Sequence, residues 1–256
     1  MGRMDGKVAV ITGAGGGLCA ATAKMFAREG AKVVLVDRKD AVHDHTAEIN
    51  DAGGDAVALQ LDVGVWENWA IIYKTVMDTY GKCTTVLNGA ADMPLAGDWN
   101  TYKDLDAYLE NWDIEWKSNV MALVYSVLTF MPDFIKAEEE CCYLNYSSVT
   151  AFSYTGAGCQ AYPATKAAIK IITADMAAKH SKDGVRFNSI APNNVATPDN
   201  AVVFDAYHDK FVADTPLGRL GEADEVAYVS LFLCSDEASF VTGECVVIDG
   251  GFLTCH

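Results

Sequence analysis

Two side chains four positions apart are the first candidates for chemistry. Tyr162 and Lys166 lie in a segment whose pattern predicts a helix over Tyr162–His180, so they share one helix face a turn apart. A phenol with a pKa of about 10 is a poor proton acceptor at neutral pH, but a nearby ammonium group favours the phenolate. Tyr162 can then exchange a proton with an alcohol or ketone oxygen. Because this spacing is common by chance, the interpretation needs support from the rest of the chain.

A glycine-rich turn near the N-terminus predicts a phosphate-binding loop. It runs from Thr12 to Cys19 between a predicted strand, Lys7–Thr12, and a predicted helix, Leu18–Glu29. Glycines there let the backbone approach a pyrophosphate, and the helix N-terminus supplies free N–H groups. We therefore expect the cofactor to contact Gly13, Gly15, Gly17 and Leu18; the alternative is a plain strand-to-helix turn. Cys19 stands where a small residue is expected for helix–strand packing, or it is a reactive thiol at a helix N-terminus.

The acid that follows the second predicted strand indicates which dinucleotide would bind. Asp37 comes 20 residues after Gly17, where a carboxylate binds the ribose 2′-hydroxyl of NAD and repels the 2′-phosphate of NADP. Two alternatives stay open: Asp37 could be a helix cap, and the neighbouring Arg38 could meet a 2′-phosphate. After the third strand, Asp62 and Val63 either flank the adenine or, for Asp62, cap the next helix.

These residues sit in a regular alternation of apolar runs and amphipathic segments. Strands that are apolar on both faces and alternate with helices predict a parallel sheet covered on both sides, wound by right-handed crossovers. We expect an α/β fold: a single-domain, Rossmann-like, doubly wound sheet of about seven strands over residues 1–256. The predicted strands are Lys7–Thr12, Lys32–Val36, Ala56–Leu61, Thr84–Asn88, Cys142–Ser147, Val185–Ile190 and Glu244–Ile248.

Helices are predicted between these strands, and two segments after strand ends have no clear regular pattern. The helices are Leu18–Glu29, Ala41–Ala52, Glu67–Tyr80, about 105–136, Tyr162–His180 and Glu222–Cys234. The irregular segments are Ala90–Lys103 and Asn193–Thr215, and ligands bind at such strand ends. The second is rich in apolar residues, which predicts a substrate loop acting as a lid, or a small helix packed on the body.

The composition excludes several classes of protein. Of 256 residues, 51% are hydrophobic, and the formal charge is −16, which argues against a nucleic-acid binder and against docking on anionic membranes. No apolar stretch predicts a membrane span, and the N-terminus runs straight into a strand, without a signal peptide. Eight cysteines without a C-x-x-C pair predict reduced thiols in a cytoplasmic protein. No metal site is expected, since His43 and His45 have no further ligands nearby.

Taken in order along the chain, these motifs resemble the short-chain dehydrogenase/reductase family, in its simple short branch. The resemblance covers essentially the whole sequence. It rests on Thr12-Gly13-x-x-x-Gly17, Asp37, Asp62-Val63, Asn88-Gly89-Ala90-Ala91, Trp112-Asp113 with Asn119, Ser147-Ser148-Val149, Tyr162-x-x-x-Lys166, Pro192 with Thr197, Pro216-Leu217-Gly218-Arg219 and Ile248-Asp249-Gly250-Gly251.

The resemblance implies a catalytic tetrad of Asn119, Ser148, Tyr162 and Lys166. Ser148 would bind the substrate oxygen, Tyr162 would be the general acid–base, Lys166 would bind the nicotinamide ribose, and Asn119 would hold a relay water. Ser147 is a rival serine, pointing to the opposite face of its strand, and Tyr154 is a poor rival base because Gly158 stands where the lysine should be. The implied cofactor contacts also include Asn88, Pro192, Val195 and Thr197.

The family pattern is broken at three places. The usual Asn-Asn-Ala-Gly reads Asn88-Gly89-Ala90-Ala91, the usual Pro-Gly reads Pro192-Asn193, and Cys19 replaces a glycine. Asn tolerates a positive φ, so the turn at Asn193 is expected to survive. None of the three lies in the tetrad, so we expect them to affect the geometry of the cofactor site more than the chemistry.

The resulting hypothesis is an NAD-dependent oxidoreductase that interconverts a secondary alcohol and a ketone. The apolar substrate loop suggests a bulky apolar substrate, first a hydroxysteroid, with a cyclic alcohol or polyol as the alternative. Two other functions stay open: a non-catalytic NAD-binding sensor, and an NADP-dependent reductase of an acyl or quinone substrate. The resemblance also implies a homo-oligomer, a tetramer or a dimer, through the helices Trp112–Phe130 and Tyr162–His180. We expect no nucleic-acid or membrane partner.

Overall fold

A computed structural model describes residues 2–93, 105–153 and 160–255 of the chain. Within them the strands are β1 Val8–Thr12, β2 Lys32–Asp37, β3 Asp55–Gln60, β4 Thr85–Asn88, β5 Cys141–Tyr146, β6 Val185–Pro192, β7 Val195–Ala196, β8 Gly221–Glu222 and β9 Cys245–Ile248. The helices are α1 Gly17–Arg28, α2 Ala41–Asp51, α3 Asn68–Tyr80, α4 Leu105–Glu115, α5 Ala122–Phe134, α6 Ala161–His180, α7 Ala201–Ala206, α8 His208–Asp214 and α9 Ala223–Cys234.

Seven of the strands form one parallel sheet in the order β3-β2-β1-β4-β5-β6-β9. The chain winds outward in one direction through β2 and β3 and in the other through β4 to β9. The reversal between β1 and β4 leaves a crevice outside their carboxyl ends, which is where open α/β sheets bind ligands. The predicted doubly wound fold is confirmed.

Alternate residues of the strands supply the two hydrophobic cores, one on each face of the sheet. In β1, Ala9 and Ile11 face one core, in which Phe26 of α1 and Leu231 of α9 are buried. Val8 and Val10 face the other, with Trp69 of α3 and Phe130 of α5. Because both faces are covered, strands of this kind read as continuous apolar runs in the sequence.

The predicted long helix over residues 105–136 is interrupted. The chain forms α4, then a π-helical turn over Trp116–Met121, and then α5. A π turn holds one extra residue, which re-aims the side chains that it carries, and such turns are frequent at functional sites. This one carries Asn119.

The segment Asn193–Thr215 is more regular than predicted, since it contains β7 and the short helices α7 and α8. Its apolar side chains Val202, Val203 and Tyr207 are exposed, so α7 is not packed into the body of the protein. Among the described residues, no helix is both long and apolar enough to cross a bilayer.

Candidate active site

A cavity of about 480 Å³ lies at the carboxyl ends of β1, β2 and β4. This volume falls in the range of small-molecule and cofactor sites. Eight of the predicted site residues line it: Gly13, Gly17, Leu18, Asp37, Asp62, Val63, Tyr162 and Thr197. The sequence-predicted loop, acid and tyrosine therefore share one site.

The glycine loop leaves no room for side chains. A Cβ on Gly13, where φ is +77°, would lie 2.7 Å from the backbone nitrogen of Ala90. A Cβ on Gly17 would lie 2.7 Å from Cβ of Thr197. The loop therefore fits between the segment after β4 and the segment after β7 only because these positions are glycine.

Asp37 closes the far end of the loop. Its Oδ2 accepts a hydrogen bond from the Gly15 N–H at 2.9 Å, and its Oδ1 accepts one from the Lys39 N–H at 2.8 Å. Asp37 thus caps the turn that follows β2, while the N-cap position of α2 belongs to Asp40. The carboxylate lines the cavity, as a ribose-binding acid must.

Arg38 is held by an acid from the segment after β4. Its guanidinium donates hydrogen bonds to both carboxylate oxygens of Asp92, and the distance from Nη1 to Oδ2 is 3.0 Å. This bidentate geometry is the stronger form of an arginine–carboxylate ion pair. Asp92 also binds Asn119 through its backbone, since its N–H donates to Asn119 Oδ1 at 2.7 Å and its carbonyl accepts from Nδ2 at 3.0 Å. One residue therefore connects the Arg38 end of the cavity to Asn119.

A carboxylate already occupies the N-terminus of α1. Asp199 Oδ2 accepts a hydrogen bond from the Gly17 N–H at 2.6 Å, and Oδ1 accepts one from Lys39 Nζ at 2.8 Å. Burial works against this charge, but the hydrogen bonds from Lys39 and Gly17 outweigh it and lower the pKa of Asp199. This contact shows that the glycine loop and helix N-terminus accept an anion, which is the property that a pyrophosphate requires.

Tyr162 and Lys166 meet as their spacing predicts. Lys166 Nζ lies 5.4 Å from the centre of the Tyr162 ring and donates a hydrogen bond to the Tyr146 carbonyl at 2.8 Å. The lysine is only 2% exposed. Burial disfavours its charge and lowers the pKa of Lys166 to about 8, although the nearby Glu115 opposes this effect.

The π turn places the side chain of Asn119 between the segment after β4 and α6. Its Oδ1 accepts from the Asp92 N–H and from Ser118 Oγ, while its Nδ2 donates to the Asp92 carbonyl and to Thr165 Oγ1 at 3.1 Å. Because the described contacts engage both ends of the side-chain amide, Asn119 ties the segment after β4 to α6.

The hydrogen bonds of the two serines after β5 distinguish their roles. Ser147 Oγ donates to the backbone carbonyl of Lys166 at 2.9 Å and is therefore engaged in holding α6 against the sheet. Ser148 Oγ accepts from the Thr150 N–H at 3.2 Å, on the other side of the chain. Of the two, Ser148 has the hydroxyl that is not used to anchor α6.

Some predicted cofactor residues lie outside the cavity lining. Asn88 Nδ2 instead donates to Asn145 Oδ1 at 2.9 Å and joins β4 to β5, so it supports the sheet. Pro192 ends β6, and Val195 is buried in β7. The positive φ after β6 is at Asn194, at 49°, and not at Asn193, so the turn is shifted by one residue from the expectation. Tyr154 and Gly158, together with residues 94–103 of the segment Ala90–Lys103, lie outside the described residues.

Five residues at or beside the site were missed or left open by the sequence analysis. Arg38 was considered only for a 2′-phosphate, and the positions of Asp92 and Asp199 gave no signal because their partners are distant in sequence. Ser118, which lines the cavity, precedes Asn119 in the π turn. A buried acid in a helix whose neighbours are apolar would have been the one available signal, and Glu115 fits it.

The comparisons with known proteins agree with this geometry. The family model described as "Enoyl-(Acyl carrier protein) reductase" matches residues 13–253. The chain belongs to the short-chain dehydrogenase/reductase family. The fold of this family binds a nicotinamide cofactor, and the cavity described above lies where that fold places it.

Relatives in this family span nearly the whole chain. The chain is 36% identical over 251 residues to 2,5-dichloro-2,5-cyclohexadiene-1,4-diol dehydrogenase of Sphingobium indicum, covering 98% of this chain and 97% of that protein. It is 33% identical to cyclopentanol dehydrogenase of Comamonas testosteroni, covering 98% and 99%. The structure of L-sorbose reductase from Gluconobacter frateurii, complexed with NADPH and L-sorbose, superposes with a TM-score of 0.87 at 27% identity, covering 98% of each chain.

Two departures from the family pattern occupy one volume. A Cβ on Gly89 would lie 2.2 Å from the Cys19 sulfur, so a side chain at position 89 and a cysteine at position 19 exclude each other. Gly89 therefore accommodates the extra atoms of Cys19, and the packing interpretation of Cys19 holds. Burial raises the pKa of the Cys19 thiol to about 12, which disfavours the alternative of a reactive thiol.

Proposed function

We propose that this protein is an NAD-dependent dehydrogenase that interconverts a secondary alcohol and a ketone. The observation that carries the proposal is that Tyr162, with Lys166 beside its ring, lines a cavity built on a glycine loop. A pure binding protein has no need of a buried lysine beside a tyrosine, because burying an ammonium group costs free energy.

The residues present fit a nicotinamide dinucleotide. The glycine loop accepts an anion, as Asp199 demonstrates, and Asp37 lines the cavity at the end of β2. Bound there, the nicotinamide supplies the hydride acceptor or donor. We assign the remaining cofactor contacts to Leu18, Asp62, Val63 and Thr197, which surround the same space.

In alcohol oxidation, the proton has to leave through the protein. Ser148 would donate a hydrogen bond to the substrate oxygen, and the Tyr162 phenolate would take the hydroxyl proton. Lys166 would stabilise that phenolate by its charge, since it is buried where the field of an ammonium is weakly screened. Asn119 would hold the segment after β4 and α6 in the positions that this geometry needs.

Preference for NAD over NADP follows from two acids. Asp37 would bind the ribose 2′-hydroxyl and repel a 2′-phosphate. Arg38, the cation that could offset this repulsion, is paired with Asp92. The structure of L-sorbose reductase holds NADPH, so the affinities of this protein for NADH and NADPH are to be compared directly.

The relatives favour a ring-shaped substrate. Two of them are named as dehydrogenases of cyclic alcohols, a chlorinated cyclohexadienediol and cyclopentanol. These names support the cyclic-alcohol alternative over the hydroxysteroid. Location in the cytoplasm stays a prediction from the sequence.

The test is NADH formation from NAD at mildly alkaline pH with cyclic alcohols, cyclic diols, polyols and hydroxysteroids. The Tyr162→Phe variant should lose at least about a thousandfold in turnover, because it lacks the group that accepts the proton, yet it should bind NADH as before. Tyr228→Phe removes an exposed hydroxyl on α9 and is the matched control. Turnover retained by Tyr162→Phe would contradict the proposal, and NADH binding without turnover of any alcohol would favour a sensor.

A further inference from the structure

A chain of three buried hydroxyl groups joins the end of β5 to α1 and α9. The Tyr146 hydroxyl shares one hydrogen bond with Thr22 Oγ1 of α1 and another with Ser230 Oγ of α9, each at 2.8 Å. Tyr146 is 5% exposed, and both of its partners are fully buried. Burying hydroxyl groups in an apolar core costs free energy unless they are hydrogen-bonded. A satisfied network of this kind makes the elements that it joins rigid and fixes one arrangement of them.

The Thr22 end of this chain leads to the cofactor cavity. Thr22 Oγ1 also donates to the carbonyl of Leu18 at 3.0 Å, and Leu18 lines the cavity from the first turn of α1. At the other end, Ser230 Oγ donates to the Val226 carbonyl of α9 at 2.9 Å. Three hydroxyl hydrogens thus serve four contacts. Because Thr22 and Ser230 each have an acceptor in their own helix, removing the Tyr146 hydroxyl leaves neither of them unpaired.

The backbone of the same tyrosine holds Lys166. The Tyr146 carbonyl accepts a hydrogen bond from Lys166 Nζ at 2.8 Å, and Ser147 Oγ donates to the Lys166 carbonyl at 2.9 Å. An ammonium group has three N–H donors, so two remain for the hydroxyl groups of a nicotinamide ribose. Tyr146 therefore contacts α1 with its side chain and Lys166 with its carbonyl, and a single residue links the two.

We propose that Tyr146 is a positioning residue for alcohol oxidation, which fixes α1 and the dinucleotide bound to it at a set place relative to Lys166. This inference rests on the proposed function. Hydride transfer requires the nicotinamide, the substrate carbon and the Tyr162 oxygen to be closely aligned. In the proposed complex α1 holds the pyrophosphate and Lys166 holds the nicotinamide ribose, so a shift of α1 against β5 moves these two supports relative to each other. The Tyr146 hydroxyl opposes that shift through Thr22.

The test is Tyr146→Phe, which removes the hydroxyl and keeps the ring. We expect the Kd for NADH to rise about fivefold, as for the loss of one hydrogen bond. The kcat for alcohol oxidation should fall about tenfold, because a small misplacement of the reacting groups slows a reaction strongly. The KM for the alcohol should change by less than about twofold, since the interaction lost is one that aligns the reacting groups. Adenosine, which would occupy the Asp37 end of the cavity without using Lys166, should bind with a Kd within about twofold of the unmodified protein's.

Tyr143→Phe is the matched control. Tyr143 lies in the same strand and is 1% exposed, but its hydroxyl donates to the Ser126 carbonyl of α5 at 3.3 Å, on the opposite face of the sheet. This change removes a buried tyrosine hydroxyl from β5 without touching α1, so NADH affinity and kcat should stay within about twofold of their original values. On α1, Thr22→Val should reproduce the effect of Tyr146→Phe, and Thr22→Ser, which keeps a hydroxyl, should recover most of the loss.

The binding measurements separate this proposal from the proposed function. Values for Tyr146→Phe that equal those for Tyr143→Phe would overturn the role of Tyr146. An equal loss of adenosine and NADH affinity would also overturn it, because that result shows a general loosening of the cavity. Weaker NADH binding by Tyr146→Phe, with no alcohol oxidised by the unmodified protein, would keep the role of Tyr146 in holding the dinucleotide and reject the proposed function alone.

Discussion

At the scale of single residues, the proposed cofactor selectivity depends on which group forms the ion pair with the Arg38 guanidinium. The guanidinium follows directly after Asp37, the acid that we propose to bind the ribose, where it could meet either a ribose hydroxyl or a 2′-phosphate. The ion pair with Asp92 makes Arg38 less available to a 2′-phosphate. The phosphate would have to compete with a carboxylate that the guanidinium already binds in bidentate geometry. Under the proposed preference for NAD, selectivity would then be shared between Asp37 and Asp92.

Replacing Asp92 with Asn should therefore improve NADPH binding. Released from its pair, Arg38 is free to neutralise a 2′-phosphate, and a partly exposed ion pair of this kind is worth about 1 kcal/mol, or about fivefold in Kd. The affinity for NADH should stay nearly unchanged, since the backbone bonds from residue 92 to Asn119 remain. Both dissociation constants can be measured by quenching of protein fluorescence.

The matched control is the double variant Arg38→Ala with Asp92→Asn, in which the gain for NADPH should disappear. Asp37→Ala should also weaken the preference for NADH over NADPH, because it removes the repulsion between this carboxylate and the 2′-phosphate. Equal affinities of the unmodified protein for NADH and NADPH would contradict the assignment of NAD.

At the scale of elements, α1 and the segment after β4 are fitted to each other through Cys19 and Gly89. The Cys19 sulfur occupies the place that a side chain at position 89 would need. Gly89→Ala should destabilise the protein by about 1–3 kcal/mol, since overpacking forces backbone or side chain to move. Combined with Cys19→Gly, which clears the space, the cost of Gly89→Ala should fall by about 0.5–3 kcal/mol.

Urea unfolding of the two single variants and the double variant measures this coupling directly. Additive free energies of unfolding would show that the two positions do not share a volume. Because Cys19 is buried and the pKa of its thiol is raised, thiol oxidation should not complicate the comparison under reducing conditions.

The elements show how far the sequence alone reaches. The seven strands of the sheet and their helices could be predicted to within two residues, because burial on both faces leaves an apolar run for each strand. The Tyr162–Lys166 pair could be predicted because both residues lie on one helix. The π turn over Trp116–Met121 could not be, since one extra residue in a helix leaves the apolar pattern nearly unchanged. The contacts of Asp92, Glu115 and Asp199 depend on tertiary packing, which sequence spacing does not report.

At the scale of the whole molecule, large apolar side chains are exposed on α5 and α6. Leu128 of α5 is 60% exposed and Ile171 of α6 is 63% exposed, on the two helices through which the family resemblance predicts subunit pairing. Exposed apolar surface can mark a protein interface, so we expect a homo-oligomer with contacts through these two helices.

The double variant Leu128→Glu with Ile171→Glu should reduce the assembly to a smaller one, because burying two added carboxylates at an interface costs several kcal/mol per pair of subunits. Val202→Glu, at a position that is 84% exposed on α7, should leave the assembly intact. Light scattering after size-exclusion chromatography gives the mass of each. An unmodified protein that elutes as a monomer would contradict the prediction.

The contact between Asp199 and Gly17 has a consequence for the order of events in turnover. A pyrophosphate can reach the α1 N-terminus only by evicting the Asp199 carboxylate, which also frees Lys39. Asp199 lies two residues before the start of α7, so we expect its displacement to loosen the segment that carries the exposed apolar side chains. Binding of the dinucleotide would then open access for the alcohol. The two substrates would therefore bind in a compulsory order, with the dinucleotide first. In product-inhibition kinetics, NADH should accordingly be competitive with NAD and not with the alcohol. Asp199→Asn should tighten binding of the dinucleotide, because the uncharged side chain competes less well for the α1 N-terminus.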